Sequence, residues 1–493
     1  MADKYETVIG LEVHSQLLTT SKMFCPCGSD YQDSEPNTRV CPVCMGMPGV
    51  LPVVNKKAVD LVIKTGLALN CHISPETKFD RKNYPYPDLM KGYQISQFDI
   101  PIALDGNLAI QVGNADEKHV GITRVHLEED VAKLIHRKEP YGEPYSLLDI
   151  NRAGVPLMEI VSEPDMRSPE EARSYLTILR SILRYIGAST ANMEEGSFRC
   201  DANISLRPSS TQEFGVKVEI KNMNSFRAVY NALVYETKRQ AKLLNNGEII
   251  SQETRGWVEN RGVTVSQRSK EYAADYRYFP EPDLPPLAIE QSWIDEVQSK
   301  LPELPQERST RYVNEYGLST YDADLLTASK LTADYFETVM KDPASKTEDL
   351  NSTAKSVSNW ILGELTRLLH THDRTINDLE FETRHFIGLI RLIDKGTLSN
   401  SMAKTVFEEM FKTGGSPEKI ADSHGLIQIS DTDVVESAVN ESIDGNPQPV
   451  ADYLGGKDTA IQFLVGQVMR ITKGKANPQI VSDLLKEKLD SMR

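Results

Sequence analysis

The sequence has no long apolar segment and no excess of positive charge. No run of residues approaches the roughly 20 apolar residues that span a bilayer, so we expect no membrane association. Lys and Arg number 55 against 71 Asp and Glu, which gives a formal net charge of −16 over 493 residues. Non-specific nucleic-acid binding depends on a basic surface. Any RNA contact of this acidic chain therefore needs a local basic cluster.

Cysteine is scarce, with 6 residues, and the first residues carry neither a basic leader nor an apolar signal segment. We therefore expect a cytoplasmic protein without disulfides. Four cysteines follow the pattern C-x-C, thirteen residues, C-x2-C, and these are Cys25, Cys27, Cys41 and Cys44. Two such pairs are the usual framework of a closed S4 zinc site. The pattern predicts structural Zn²⁺, and the alternative is a loop with four reduced thiols.

The chain also lacks the motifs of the common nucleotide-dependent and acyl-transfer enzymes. It contains no G-x4-G-K-[ST] loop, no protein-kinase signature set and no serine nucleophile elbow. It has no candidate glutaminase nucleophile set either. If the protein uses ATP, a site of carboxylates and histidine must therefore hold the Mg²⁺.

The pattern of apolar residues changes near residue 280. Residues 1–290 mix period-two alternation with helical spacing, which predicts an α/β domain built on a mixed sheet. The Pro-rich stretch FPEPDLPPL marks a boundary. Beyond it we predict an all-α helical domain over 291–412 and a small all-α tail domain over 413–493.

Individual elements can be predicted where the periodicity is regular. Alternation predicts strands over 7–17, 107–113, 119–127, 198–206 and 215–221. Helical spacing with capping residues predicts helices over 56–69, 168–186 and 225–246. Further helices are predicted over 291–300, 306–315, 320–341, 352–371, 380–393 and 400–412.

Two pairs of residues could bind a divalent cation. Glu12 and His14 are two residues apart in the first predicted strand and so project from the same face. A carboxylate beside an imidazole can form half of a metal site, and the alternative is an ordinary surface pair. Glu128 and Glu129 follow the strand over 119–127 and either share a cation or face water. Alternation does not rank them, because the strand could end before them.

Polar side chains also alternate along the strand over 198–206. Arg199, Asp201 and Asn203 share one face, and these side chains can hold phosphate, metal-bound water or ribose. The alternative is an exposed sheet face. In an upstream loop, Lys82 and Tyr84 combine a cation with an aromatic ring, a combination that can clamp an anionic or nucleotide ligand.

Taken together, these segments resemble one family, the B subunits of aspartyl/glutamyl-tRNA amidotransferases. The match runs in order over nearly the full length of the chain. The matching stretches are ETVIGLEVHSQL, PGVLPVVN, KFDRKNYPYPDL, YQISQFD, GITRVHLEED, NRAGVPLMEIVSEPD, MEEGSFRCDANIS, EIKNMNSF, DYRYFPEPD and FLVGQVMRITKGKANPQ.

The resemblance implies a fold, an activity and partners. It implies a cradle-shaped α/β domain, a helical domain and a tail domain. The B subunit would use Mg-ATP to phosphorylate the side chain of Glu on tRNA(Gln), and of Asp on tRNA(Asn). Ammonia, channelled from an amidase-type A subunit that a small C subunit straps in place, would then displace the phosphate. An association with the cognate aminoacyl-tRNA synthetase stays open.

The resemblance also implies roles for individual residues. The positions that match the family's Mg²⁺ site are Glu12, His14, Glu128 and Glu129. Lys82 and Tyr84 match a gate between the ammonia channel and the cleft. The tail region that contacts the tRNA in this family is matched here by Arg470, Lys473 and Lys475. We add Arg199, Asp201 and Asn203 as ligands for phosphate and metal-bound water. Some family members bind zinc at the position of the cysteines, which implies a bracing role.

Three other functions remain open from the sequence. A non-catalytic tRNA-binding scaffold would tolerate loss of Glu12 or His14. A self-contained ATP-dependent ligase would need its ammonia from another source. An archaeal-type relative specific for Glu-tRNA(Gln) would carry an additional inserted domain, for which the sequence has no room.

Overall fold

The computed structural model describes residues 4–113, 116–138, 142–269, 275–345, 349–426, 432–472, 476 and 478–492. The chain divides into two compact units, Met1–Leu304 and Pro305–Arg493. The first is α/β and the second is helical, which confirms the predicted fold class. Within the described ranges, no helix is both long and apolar enough to cross a membrane.

The first unit is built on strands. They are β1 (Tyr5–Gln16), β2 (His72–Ile73), β3 (Glu76–Thr77), β4 (Asp80–Asn83), β5 (Tyr93–Ser96), β6 (Ala103–Ile110), β7 (Lys118–Glu129), β8 (Lys133–Arg137), β9 (Tyr145–Asp149), β10 (Pro156–Ser162), β11 (Phe198–Pro208), β12 (Val218–Lys221), β13 (Glu253–Val258), β14 (Val263–Ser269), β15 (Phe279–Pro280) and β16 (Leu287–Ala288). Its helices are α1 (Lys56–Ala68), α2 (Pro169–Tyr185), α3 (Phe226–Asn245) and α4 (Gln291–Ser299).

Among the described residues, twelve strands form one mixed sheet. Its order is β14-β13-β12-β11-β1-β10-β7-β5-β4-β15, with β6 also paired to β7 and β2 to β6. The strands β12 and β13 are parallel, whereas β1, β10, β11 and β7 pair antiparallel in the centre. The antiparallel centre sets the site, because it places side chains of four strands directly opposite one another.

The central strand β1 shows why the sheet has one apolar and one polar face. Ile9, Leu11 and Val13 are buried in a core shared with α1, α2 and α3. Glu12 and His14 alternate with them and project from the opposite face. The helices α1, α2 and α3 pack on the apolar face, and a cleft opens on the polar face of the described sheet.

Helix α2 begins and ends as its sequence predicts. The Ser168 hydroxyl caps it by accepting a hydrogen bond from the amide of Glu171, and Pro169 occupies the first turn. Gly187 follows the helix with a positive φ of 69°, a conformation that glycine adopts without strain. These local signals fix the ends of the helix, and its apolar stripe packs it on the sheet.

The second unit consists of helices. They are α5 (Pro305–Tyr316), α6 (Thr320–Thr327), α7 (Lys330–Lys341), α8 (Leu350–Trp360), α9 (Thr366–Thr371), α10 (Thr383–Asp394), α11 (Asn400–Thr413), α12 (Pro417–Ser423), α13 (Thr432–Gly445), α14 (Pro447–Leu454), α15 (Ala460–Ile471) and α16 (Pro478–Ser491). The last four helices share a core of their own around Val439, Leu464 and Leu485.

Two predicted helices of this unit are interrupted. The prediction of one helix over 320–341 is wrong, because the extended backbone of Ser329 (φ −125°, ψ 127°) separates α6 from α7. The segment 352–371 contains a π-helical turn, Ile361–Leu365, between α8 and α9. Apolar spacing continues across both interruptions, so periodicity does not reveal them.

Candidate active site and metal centres

A cleft of about 530 Å³ opens on the polar face of the large sheet. Its ionisable lining side chains include Glu12, His14, Lys82, Arg124, His126, Glu128, Asp130, Glu159, Arg199, Asp201, Lys217, Glu219 and Lys221. Tyr84 and Asn203 line it as well. The cleft brings together all but one of the residues that the sequence predicted for catalysis, for the Mg²⁺ site and for the gate. The exception is Glu129.

Four neighbouring strands contribute one row of ionisable side chains across this cleft. His14 of β1 lies directly opposite Arg199 of β11 on one side and Glu159 of β10 on the other. Glu159 in turn lies opposite His126 of β7. Opposed residues on one face of a sheet have Cβ atoms about 4.5–5.5 Å apart. The register therefore assembles the row from residues far apart in the sequence.

The acids and histidines of the cleft lie close enough to share a divalent cation. His14 Nε2 is 3.7 Å from Glu12 Oε1 and 3.3 Å from Glu159 Oε2. His126 Nε2 is 3.5 Å from Glu159 Oε2 and 3.2 Å from Glu128 Oε1. In each of these two triads the candidate ligand atoms all lie within 4.8 Å of one another. Carboxylate oxygens are the ligands that Mg²⁺ prefers, so the three carboxylates of these triads fit this ion.

Burial and mutual charge determine the protonation of this group. Burial lowers the pKa of His14, but its hydrogen bond to Glu159 and the surrounding carboxylates raise that pKa to about 9. Burial and the charge of Glu159 raise the pKa of Glu12. Burial also raises the pKa of Glu128, yet Lys82 and His126 hold it well below its usual value. Lys82 and a protonated His14 thus act as counter-charges for the concentrated carboxylates, a role that a bound divalent cation would take over from His14.

Two of the residues predicted to hold phosphate, Arg199 and Asp201, are themselves positioned by ion pairs. The guanidinium of Arg199 donates two hydrogen bonds to the Asp130 carboxylate, at 3.0 and 3.2 Å. Asp201 accepts from Lys221 Nζ at 2.5 Å, and the same ammonium lies 3.3 Å from Glu219. A bidentate arginine–carboxylate pair has a fixed geometry, so Arg199 faces the cleft in one orientation.

The structure separates Glu129 from Glu128. Glu128 projects into the cleft, where Gln94 Nε2 and Ser96 Oγ donate to it at 2.8 and 3.0 Å. Glu129 projects from the other face and pairs with Lys91. The strand β7 continues through both residues, so its alternation points them in opposite directions. The predicted grouping of Glu129 with Glu12 and His14 is therefore not present.

Lys82 belongs to β4, Tyr84 follows that strand, and both line the cleft. Lys82 Nζ is 3.7 Å from Glu128 Oε1 and 5.2 Å from the ring centre of Tyr276. The Tyr84 hydroxyl donates to Gln94 Oε1 at 3.1 Å, and its ring packs edge-on against Tyr276. The predicted gate residues thus contact Glu128, Lys82 through its ammonium and Tyr84 through Gln94.

The sequence predictions missed Glu159 and His126. Both are buried, with 3% and 2% of their surface exposed, and Glu159 contacts both histidines of the row. Its signal in the sequence is a carboxylate inside the apolar run LMEIV. Glutamate is almost never fully buried without a partner, so that run could have indicated the site.

The four clustered cysteines form a second candidate metal centre. Their sulfur atoms all lie within 4.8 Å of one another, and Cys41 Sγ is 3.9 Å from Cys44 Sγ. Zn–S bonds of about 2.3 Å place sulfurs about 3.8 Å apart at the corners of a tetrahedron. The hydrogen bond from Cys25 lowers the pKa of Cys44 to about 5. Spacing and donor type therefore fit Zn²⁺.

The predicted tRNA-contacting cluster is described only in part. Arg470 lies in the last turn of α15 and is exposed. Lys473 and Lys475 lie outside the described residues. A cation at the C-terminal end of a helix is favourable in itself, so the position of Arg470 alone does not establish a binding role.

Two family models and full-length relatives match this chain. Residues 7–295 match a family model described as GatB/GatE catalytic domain, and residues 334–489 match one described as GatB domain. A protein of Dehalococcoides mccartyi is 56% identical over 489 residues, covering 99% of both chains. A protein of Carboxydothermus hydrogenoformans is 52% identical, with 99% of both chains covered. Both relatives are named as the B subunit of an aspartyl/glutamyl-tRNA(Asn/Gln) amidotransferase.

Proposed function

The chain belongs to the GatB/GatE family of amidotransferase B subunits, and we propose that it activates the side-chain carboxylate of Glu carried on tRNA(Gln). The same chemistry applies to Asp on tRNA(Asn). The observation that carries the proposal is the cross-strand row of His14, Glu159 and His126 beside Glu12 and Glu128. Acids of three strands converge there on the floor of a cleft that several Lys and Arg side chains also line.

The reaction needs activation because a carboxylate is a poor acyl donor to ammonia. A carboxylate oxygen of the substrate attacks the terminal phosphorus of ATP, and ADP leaves. Ammonia then attacks the acyl carbon, and inorganic phosphate leaves with the C–O bonding electrons. Phosphoryl transfer of this kind depends on positioning and on neutralising charge.

The described residues supply both requirements. Glu12, Glu128 and Glu159, together with His14 and His126, would hold Mg²⁺, which supplies charge neutralisation at the phosphates when bound. Lys82, Arg124 and Lys221 line the same cleft and would orient phosphate oxygens and the substrate carboxylate. Arg199, fixed by Asp130, and Asn203 would complete the phosphate contacts. Glu129 has no part in this assignment.

The remaining assignments follow from family membership. Ammonia would come from an amidase-type A subunit, held by a small C subunit, in a cytoplasmic complex. Lys82 and Tyr84 would separate the ammonia path from the cleft, and Arg470 with the tail helices would contact the tRNA. The four cysteines would hold a structural Zn²⁺, because four protein ligands leave no position open for a substrate.

A phosphate-release assay tests the assignment of the cleft. The complex of this chain with its partner subunits is supplied with Glu-tRNA(Gln) and γ-labelled ATP, without an amide donor. We expect the wild type to release phosphate or accumulate acyl phosphate in a tRNA-dependent manner. Glu12→Ala combined with His14→Ala should remove this activity, because the ligands for Mg²⁺ are lost.

Glu163→Ala is the matched control, since Glu163 is an exposed residue just beyond the end of β10. It should leave the phosphate release unchanged. Undiminished release by the double variant would show that the chemistry lies elsewhere and that Glu12 and His14 are an ordinary polar pair. It would also favour the non-catalytic scaffold.

A further inference from the structure

Lys22 is a buried lysine beside the cysteine cluster. Only 1% of its surface is exposed. Its ammonium nitrogen donates to the carbonyl oxygen of Arg39 at 2.7 Å and to Cys44 Sγ at 3.7 Å. Within the described part of the chain, no carboxylate forms an ion pair with it. The sulfur of Cys44 is thus the one group of potential negative charge that it contacts there.

A buried ammonium needs an anion nearby. Removing a charge from water is strongly unfavourable unless the charge is paired and hydrogen-bonded, and the Arg39 carbonyl supplies only a dipole. The carboxylate of Glu129 is also near, because it lies beside Gly154, as the Lys22 side chain does. That carboxylate, however, accepts hydrogen bonds from Lys91 and from the amide of Ile95. Both of these bonds are accepted by Oε1 of Glu129, whereas the hydrogen bond of the ammonium itself reaches Cys44 Sγ. The cysteine cluster is therefore the anionic partner with which Lys22 is in contact.

We propose that Lys22 is the built-in counter-ion of a tetrathiolate zinc centre formed by the four cysteines. Four thiolates and Zn²⁺ form a doubly negative centre, and the ammonium at Cys44 cancels half of that charge. Lys22 is thus a positioning residue for the metal and does not ligate it. The inference rests on the zinc site proposed above and is independent of the amidation reaction.

The counter-ion role predicts that loss of the ammonium has different effects on the zinc-bound and the zinc-free protein. With zinc bound, removing the ammonium leaves a more negative centre in a buried place, so zinc should bind more weakly. Without zinc, the ammonium keeps its hydrogen bonds to the Arg39 carbonyl and to Cys44 Sγ but no longer compensates a metal centre. Its replacement by an apolar side chain of similar length should then leave the stability of the zinc-free protein unchanged or higher, because burying a charge is costly.

Zinc competition against a chromophoric chelator tests this on the full chain under reducing conditions. Loss of a residue that supports metal ligands typically weakens metal affinity about 10–100-fold, and we expect Lys22→Met to fall in this range. Lys22→Arg keeps the charge and should lose less. Lys57→Met removes an exposed lysine of α1 and should bind zinc like the wild type.

Thermal unfolding of the chelator-treated proteins supplies the second readout. We expect zinc-free Lys22→Met to unfold at the same temperature as zinc-free wild type or higher. Equal zinc affinity of Lys22→Met and wild type would overturn the counter-ion role. So would a lower unfolding temperature of the zinc-free variant, which would show that Lys22 only supports the fold.

Cobalt substitution distinguishes a failure of the proposed zinc site from a failure of the proposed role of Lys22. Wild-type chain that binds Co²⁺ with the charge-transfer bands of thiolate ligands has the S4 centre, and the Lys22 comparison then stands on its own. Wild-type chain that binds neither Co²⁺ nor Zn²⁺ would overturn the zinc site and the role of Lys22 together. The activity of the cleft would not be affected by that result.

Discussion

At the scale of the residue, Glu159 is the side chain on which the candidate active site depends most. It lies between His14 and His126 in the row across the sheet, and its carboxylate contacts both imidazoles. Burial raises the pKa of Glu159, but the charge of His126, together with the hydrogen bond and charge of His14, lowers it below its usual value. It therefore stays ionised, which a metal ligand requires.

Glu159→Gln tests this role. The amide has nearly the same shape but no charge, so the row keeps its packing and loses a ligand for Mg²⁺. We expect tRNA-dependent ATP cleavage by the complex to fall by about 10²–10³-fold, the size of effect seen when one group that stabilises transition-state charge is removed.

Glu163→Gln, an exposed carboxylate just beyond the same strand, is the control and should retain full activity. Raising the Mg²⁺ concentration should restore part of the activity of Glu159→Gln if the lost group is a ligand. Wild-type activity in Glu159→Gln would remove Glu159 from the metal site.

At the scale of the element, alternation along a strand decides which acids enter the cleft. Because β7 continues through Glu129, Glu128 faces the cleft and Glu129 faces the cysteine side. The sequence predicts this alternation but leaves the end of the strand open. Pairing with β10 decides it, because the ladder extends to Glu129 opposite Pro156.

The N-terminal end of α2 gives a prediction for an element that supports the sheet. The Ser168 hydroxyl accepts a hydrogen bond from the backbone amide of Glu171 at 3.1 Å. Loss of such a cap lowers the free energy of unfolding by about 1 kcal/mol. We expect Ser168→Ala to lower the free energy of unfolding by about this amount in chemical denaturation.

Ser168→Gly is the matched variant, because glycine at a cap position costs only a few tenths of a kcal/mol. Unchanged stability of Ser168→Ala would show that the hydroxyl does not cap the helix. Neither substitution touches the cleft, so the activity of both complexes should match that of the wild type.

At the scale of the whole molecule, the two units have separate sources of stability. The second unit contains an ion-pair network in which Glu337 accepts from Arg308 Nε at 2.8 Å, from Lys341 Nζ at 2.9 Å and from Arg311. Burial raises the pKa of Glu337, but the hydrogen bonds from Lys341 and Arg311 and the charge of Arg308 lower it to about 2.

The stability of the second unit at low pH should depend on the ionisation of Glu337. A carboxylate whose folded pKa is depressed stabilises the fold above its unfolded pKa of about 4.3, and that stability is lost as pH falls towards 2. We expect Glu337→Gln to lower stability by about 1–2 kcal/mol at pH 7, allowing for solvent screening. The difference from wild type should shrink between about pH 5 and 2.

Hydrogen exchange of α5 and α7 measures this local stability. Glu409→Gln changes a carboxylate of α11 that forms no ion pair in the described residues, and it should show no such pH dependence. A constant difference between Glu337→Gln and wild type from pH 7 to 2 would contradict the role of the network.

The sequence by itself determined what depends on neighbours along the chain. Alternation predicted β1 with Glu12 and His14 on one face, and the capping serine, the proline and the glycine predicted α2. The spacing of the cysteines predicted their convergence. These features are local, because the side chains of one strand, helix or turn are arranged by its own backbone geometry.

Only the tertiary structure decided which distant residues meet. Glu159 and His126 join His14 because β10 lies between β1 and β7 in one particular register, and shifting a strand by one residue would turn these side chains to the other face. The contact of Lys22 with Cys44 likewise depends on how the cysteine loop folds back. Pairing between distant segments is set by packing of the whole core, which no local pattern encodes.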